Sequence, residues 1–319
     1  MRLADSGQLT GESGATETLR QRARASRIRA TQATLISLLY LIPSLIVFGA
    51  FIFYPLFKSI YLSLFASDPF GRGNGIYVGL KQYGIALHSP TYREGLKVTV
   101  LYTLYTVPLG ILVALGLAVL ANARVRGIAF FRTAFAVPIG VSVAASALTF
   151  ALFFNPSSGV LNYLLRSVGL PPVSWLTQPS SALWAIAILS IWVGLGFNFI
   201  VILSGLQSIP EDLYESAKID GAGSFRIFSA ITLPLLSPTL FFVLVVSIIG
   251  AFQSFTQIDL LTKGGPANST NVVVYSIYRD AFVNFNSGYA SVQAVILFVI
   301  ILVLTLIQFL FIERRVYYS

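Results

Sequence analysis

Six long stretches of the chain, roughly residues 35–57, 99–121, 133–154, 182–206, 235–255 and 292–312, contain no Asp, Glu, Lys or Arg. Each is long enough, at about 20 residues, to cross roughly 30 Å of hydrocarbon as a helix. A helix satisfies its own backbone polar groups, which lipid cannot do. With 56% hydrophobic and 10% charged residues and a mean hydropathy of +0.80, the chain is too apolar to fold in water. These features predict an all-α integral membrane protein with six transmembrane helices. No charge falls between Arg166 and Glu211, so Asn155, Pro156, Pro171 and Pro172 are what separate the third and fourth spans.

The distribution of Lys and Arg orients such a protein. With the N-terminus inside, Arg2, Arg20, Arg22, Arg24, Arg27, Arg29, Arg124, Arg126, Arg132, Lys218, Arg226, Arg314 and Arg315 all fall on cytoplasmic segments, thirteen of the 21 basic residues. Most of the others sit in a long first outer loop, where the charge rule is weak. Both termini are therefore expected on the cytoplasmic side of the membrane. Residues 1–33 read as a basic cytoplasmic tail and 34–319 as the membrane domain. The tail abuts a long apolar span, so it is an orientation signal with affinity for anionic lipid, and the net charge of +9 does not imply nucleic acid. The first span exceeds the about 7 to 15 residues of a signal-peptide core, so an uncleaved anchor is expected.

Little in the chain points to chemistry of its own. It has no cysteine and one histidine, His88, and its acidic residues lack metal-ligand spacing. No GxxxxGK[ST] loop occurs, so no nucleotide hydrolysis, catalytic residue, metal or cofactor is expected here.

One polar segment, about 207–234, is too organised for an ordinary connection. Ser208 and Glu211 have capping-box spacing, and Pro210, Glu211 and Asp212 suit a first helical turn. Ile209, Leu213 and Ala217 recur on one face, with Glu211, Glu215 and Lys218 on another. Gly221 and Gly223 would end that helix, Ser224 would cap a second, and Pro234 would open the next apolar run. The expected unit is helix, glycine turn, helix. Spacing alone also fits a short amphipathic helix resting on the bilayer.

The residues in that unit go further. Glu215, Ala217, Asp220, Gly221, Ala222 and Gly223, followed by Ile231, Leu233 and Pro234, resemble the signature loop of permease subunits of bacterial ABC importers, with Ser216 where the motif usually has Ala. Tyr54-Pro55, Ser63-Leu64, Val78-Gly79-Leu80, Phe154-Asn155-Pro156 with Gly159, and Leu261-Thr262 with Gly264-Gly265-Pro266 are similar to the carbohydrate class, which includes maltose and glycerol-3-phosphate uptake permeases. Asp68-Pro69-Phe70-Gly71 and the stretch from Gln308 to Tyr317 are similar to the glycerol-3-phosphate type.

The resemblance implies a type I ABC importer permease fold with a cytoplasmic coupling helix, forming half of a pathway that works by alternating access. It implies a second homologous permease subunit, two ABC ATPase subunits that bind ATP and Mg, and an extracytoplasmic solute-binding protein. Leu213, Glu215, Ala217, Asp220, Gly221 and Gly223 become the ATPase-coupling residues, with Leu213 and Ala217 on the docking face. Counting from the signature loop to the turns where relatives bind sugar implicates Ser190, Gly194, Phe197, Ser247, Gly250, Ala251 and Ser254. Trp192, Asn198, Gln253 and Gln257 lie nearby and can hydrogen-bond hydroxyls or stack on a sugar, although such amides also join neighbouring helices. With no basic residue inside any expected span, a neutral sugar, oligosaccharide or polyol fits better than a phosphate, and glycerol-3-phosphate or a glycerophosphodiester is the alternative. An ion-coupled secondary transporter would carry intramembrane charges or two related halves with broken helices, and neither is read in this sequence.

Overall fold

A computed structural model describes residues 39–67, 75–123 and 125–312. The basic tail, Asp68-Pro69-Phe70-Gly71, Arg124 and the residues after Ile312, Arg314 and Arg315 among them, lie outside that description. Two compact units divide the chain, one ending at Ser59 and the other beginning at Ile60.

Helix α1 runs Leu39–Leu62, and near its end Lys58 Nζ stands 5.7 Å from the centre of the Tyr54 ring. A two-stranded hairpin, β1 Phe65–Ala66 and β2 Ile76–Tyr77, pairs antiparallel with Phe65 opposite Tyr77. After α2, Lys81–His88, comes the long α3, Pro90–Ala121, which Ser89 caps by accepting from the Tyr92 N–H. Among the described residues His88 bonds only the Gly84 carbonyl of its own helix. Helices α4, Ile128–Gly140, and α5, Val143–Phe153, precede the short α6, Val160–Ser167, and the long α7, Pro179–Gln207. Then follow α8, Glu211–Ile219, α9, Ser224–Phe252, α10, Thr256–Leu261, α11, Val273–Tyr278, and α12, Ser287–Phe311.

Five of these helices, α1, α3, α7, α9 and α12, are individually long and apolar enough to span a membrane. The third expected span is not one helix: α4 and α5 meet at a 105° bend. The break lies at Val141 and Ser142, whose backbones are extended, after a tight 3₁₀ turn over Val137–Gly140. Pro138 supplies no N–H to continue the α-helical ladder. Hydropathy missed this broken helix because every residue around the break is uncharged. Helices also start earlier than their apolar runs, α3 at Pro90 and α7 at Pro179, because a helix need not stop where hydrocarbon does.

Within the unit from Ile60 onward, α3 packs along α7, and α9 lies against both. Ala114, Ala118 and Ala121 recur at helical spacing, are buried, and pack with Phe199, Ile202 and Leu206 of α7 and Leu236 and Val243 of α9. Small residues let helix backbones approach where lipid supplies no hydrophobic drive. Gly196 does the same toward α4: a Cβ there would lie 2.5 Å from the Ile139 backbone nitrogen. Pro238 inside α9 frees the Pro234 carbonyl four residues back, and Ser237 Oγ donates to it at 2.6 Å.

The linker between α5 and α7, expected simply as a loop, is folded around one amide. Asn162 is 1% exposed; its Nδ2 donates to the Pro156 and Val173 carbonyls, and its Oδ1 accepts from the Val173 N–H and Trp175 Nε1, all at 2.9–3.0 Å.

Candidate functional site

A cavity of about 410 Å³ opens where α3, α7, α9 and α10 converge beside the start of α5. The expected pathway residues Ser190, Gly194, Phe197 and Asn198 reach it from α7, Ser247 from α9, and Gln253, Ser254 and Gln257 from the segment that follows; Gly250 and Ala251 line it too. Its described lining contains no charged side chain. Trp192 does not belong to it. The indole points to the neighbouring face of α7, where its ring packs 5.6 Å from Phe150 of α5.

Sequence reasoning missed the contribution of α3. Tyr102, Thr106 and Gly110 complete the wall, and Val143 adds the first residue after the bend in the broken span. Irregular backbone at membrane depth is tolerated where it is buried or lines a cavity, which fits the position of this break. The missed signal is the four-residue spacing of Tyr102, Thr106 and Gly110, which puts them on one helix face.

Hydrogen bonds organise the polar end of the cavity. Tyr102, 1% exposed, donates its hydroxyl proton to Ser190 Oγ at 2.7 Å, and Ser190 donates to the Ile186 carbonyl at 2.8 Å. Gln257 Nε2 lies 3.0 Å from the Tyr102 oxygen, 2.9 Å from Ser254 Oγ and 3.3 Å from Ser190 Oγ, sharing its two protons among three oxygens. Buried polar groups must be paired in this way because an orphaned one costs about 1–3 kcal/mol. Asn198, near the other end, accepts a long 3.5 Å bond from Ser247. The amides thus do join neighbouring helices, while still facing the cavity.

The segment after Gln207 forms the expected helix, glycine turn and helix, with different caps. Ser208 ends α7 and bonds back to the Gly205 carbonyl, so it does not cap α8; Pro210 occupies that position. Proline suits the extended backbone entering a helix, and Glu211 and Asp212 fill the first turn. Gly221 takes φ +76°, and the Gly221 and Ala222 N–H groups bond the Lys218 and Ala217 carbonyls, a complete Schellman ending. Gly223, rather than Ser224, is the N-cap of the next helix. That helix, α9, continues through a π-turn at Phe228–Thr232 and past Pro234 without a break. Tyr214 Oη meets Thr232 Oγ1 at 3.3 Å, tying α8 to the π-turn.

Leu213, Glu215, Asp220, Gly221 and Gly223 are exposed. Ala217, expected beside Leu213 on a docking face, is instead turned inward and buried, since only one side of so short a helix can face water. Ile219 and Phe225, which were not singled out, are the most exposed apolar side chains here, at 86% and 83%. A second, polar hollow of about 650 Å³ lies beside α8, lined by Asn122, Arg132, Gln207, Glu215 and Lys218 among others.

Residues 106–317 match the model of the family described as binding-protein-dependent transport system inner membrane component. The sn-glycerol-3-phosphate transport system permease protein UgpA of Agrobacterium fabrum is 39% identical over 280 residues, 87% of this chain and 94% of the relative, and UgpA of Escherichia coli strain UTI89 is 34% identical over the same shares. A subunit of a bacterial ABC transporter involved in the import of the acidic polysaccharide alginate superposes with a TM-score of 0.75 at 27% identity, covering 90% of this chain and 98% of its own. A chain from the alginate transporter in complex with an alginate pentasaccharide-bound periplasmic protein gives 0.74, also at 27% identity, covering 87% of this chain and 93% of its own. The chain belongs to this family: it is a multi-pass membrane protein with the type I importer permease fold, a permease subunit of a binding-protein-dependent ABC importer.

Proposed function

We propose that this chain forms one wall of an ATP-driven import pathway for a polyhydroxylated solute, a sugar, oligosaccharide or polyol. The observation that carries the reading is the cavity, lined by hydroxyls, amides, glycines and the Phe197 ring and free of charge among its described residues. Such a surface matches the hydroxyls and C–H faces of a carbohydrate. A second homologous permease supplies the opposite wall, and an extracytoplasmic binding protein delivers the solute. Two ATPase subunits bind ATP and Mg and do the hydrolysis. Both chain termini lie in the cytoplasm, on the same side as α8.

Alternating access then requires two global states whose relative stability ATP binding changes. Leu213, Glu215, Asp220, Gly221 and Gly223, exposed on and after α8, meet the ATPase. Ala217 and the Tyr214–Thr232 contact transmit its movement into α9.

A second reading has its own support. The UgpA relatives, named for sn-glycerol-3-phosphate transport, favour that solute or a glycerophosphodiester. The phosphate would then be held by the partner permease, since this wall offers it no cation. ATP hydrolysis by the assembled complex, reconstituted with its binding protein and a panel of sugars, polyols and glycerol phosphates, tests both. Stimulation by a neutral sugar or polyol supports the first, stimulation by glycerol phosphates alone supports the second, and a complex indifferent to all of them defeats both.

A further inference from the structure

The hydrogen bonds around Tyr102 do more than join helices, because none of their hydroxyl protons is directed at the Gln257 amide. Ser190 directs its proton to the Ile186 carbonyl, and Tyr102 directs its own to Ser190. Ser254 Oγ lies 3.0 Å from the Tyr102 oxygen and 3.3 Å from the Gly250 carbonyl, and with the Tyr102 proton on Ser190 its own proton goes to one of these two. The three oxygens around the Gln257 amide therefore present lone pairs, and only the NH₂ side of that amide can satisfy them. Aligned hydroxyl chains polarise one another, which strengthens this one orientation over its flipped alternative.

The carbonyl side of Gln257 is left facing the opposite way. Gln257 lines the cavity, and its Oε1 takes no hydrogen bond from any described residue, yet it is not among the enclosed unsatisfied atoms. It therefore opens onto the cavity. The Nδ2 of Asn198 is likewise without a described partner and not enclosed.

We infer that Tyr102 is a positioning residue that sets solute specificity: through Ser190 and Ile186 it locks Gln257 with its carbonyl oxygen toward the cavity, so that the solute must place a hydrogen-bond donor there. The inference rests on the transport reading above and deepens it. Gln257 acts as an acceptor only, and Asn198 as a donor. A hydroxyl can serve either position, because it both donates and accepts. A phosphate monoester at neutral pH has oxygens that chiefly accept, so it is excluded from the Gln257 end. Whatever solute is carried turns a hydroxyl toward Gln257 and keeps any anionic group away from it.

The test uses the whole reconstituted complex with its binding protein. Stimulated ATP hydrolysis is measured with maltose and with sn-glycerol 3-phosphate, and for whichever is active, with derivatives in which single hydroxyls are replaced by fluorine. Fluorine cannot donate. For the wild type, one such derivative should need about tenfold more solute for half-stimulation, the factor expected from one lost hydrogen bond. Tyr102→Phe keeps the ring but frees the amide to turn, and should shrink that ratio to about twofold or less.

A merely structural Tyr102 would weaken parent and derivative alike and leave the ratio intact, which overturns the inference. So does a wild type that treats every derivative like its parent. Should Tyr102→Phe fail to assemble, Gln257→Met, close in size and without the acceptor, must remove the same discrimination; its retention overturns the inference equally. A wild-type complex that answers to no solute in the full panel defeats the transport reading, and this inference with it. A responsive one with an unchanged ratio defeats the inference alone.

Discussion

The cavity and the α8 segment use polar side chains in opposite ways. Around the cavity Tyr102, Ser190, Ser254 and the NH₂ group of Gln257 satisfy one another, because each missing partner of a buried polar group is costly. On α8, Glu211, Asp212, Glu215 and Lys218 are all exposed, and water can solvate their charges. One region tolerates little change in side-chain identity. The other tolerates exchange of single charges but depends on backbone shape, above all at Gly221, where φ is +76°.

The contrast can be broken by substitution. Gly221→Asp carries the largest expected effect on transport: a side chain in left-handed backbone adds strain of about 1–2 kcal/mol, and its charge falls on the proposed ATPase contact. Uptake should fall by at least about tenfold, the factor that roughly 1.4 kcal/mol of lost docking represents, with membrane abundance unchanged. Radiolabelled uptake alongside immunoblotting measures this, and normal uptake at normal abundance would break the backbone argument for α8.

Asn198→Ala should come next. Losing one cavity amide raises the half-saturating solute concentration roughly fivefold, about 1 kcal/mol, and spares the maximal rate. A fall in maximal rate instead would place Asn198 in coupling and blur the division between the two regions. Ser247→Ala should do less. The 3.5 Å bond it removes is long, so a change of about twofold at most is expected in the same assay, and a larger one would mean that Ser247 touches solute directly. Trp192→Phe should have the smallest effect, within about twofold, since the ring packs on Phe150 outside the cavity. A strong shift in half-saturation with that variant would return Trp192 to the pathway.

Regions whose cause is local could be read from the chain. The unit over residues 207–234 was legible because an acidic first turn, a glycine ending and a helical face all act within a few residues of one another. Its caps fall one or two positions from where the local pattern puts them, since Ser208 can serve the end of α7 as readily as the start of α8. The apolar runs were legible for the same local reason. The 105° bend was not, because Val137–Ser142 is as apolar as the straight spans and hydropathy does not register backbone direction.

The cavity mixes both kinds of information. Family resemblance and counting from the signature loop found Ser190 and Ser254, with Gln257 nearby, but not that these three share partners. Tyr102 lies 88 residues from Ser190 and 155 from Gln257 along the chain, and nothing in the spacing brings them together. Composition and local pattern established a membrane protein, its apolar runs and the helix, glycine turn and helix over residues 207–234, since these depend on solvent transfer and short-range backbone geometry. The shared wall, the inward turn of Ala217, the displacement of Trp192 and the orientation of the Gln257 amide arose from helix packing, because hydrogen-bond partners across helices are chosen by proximity in space.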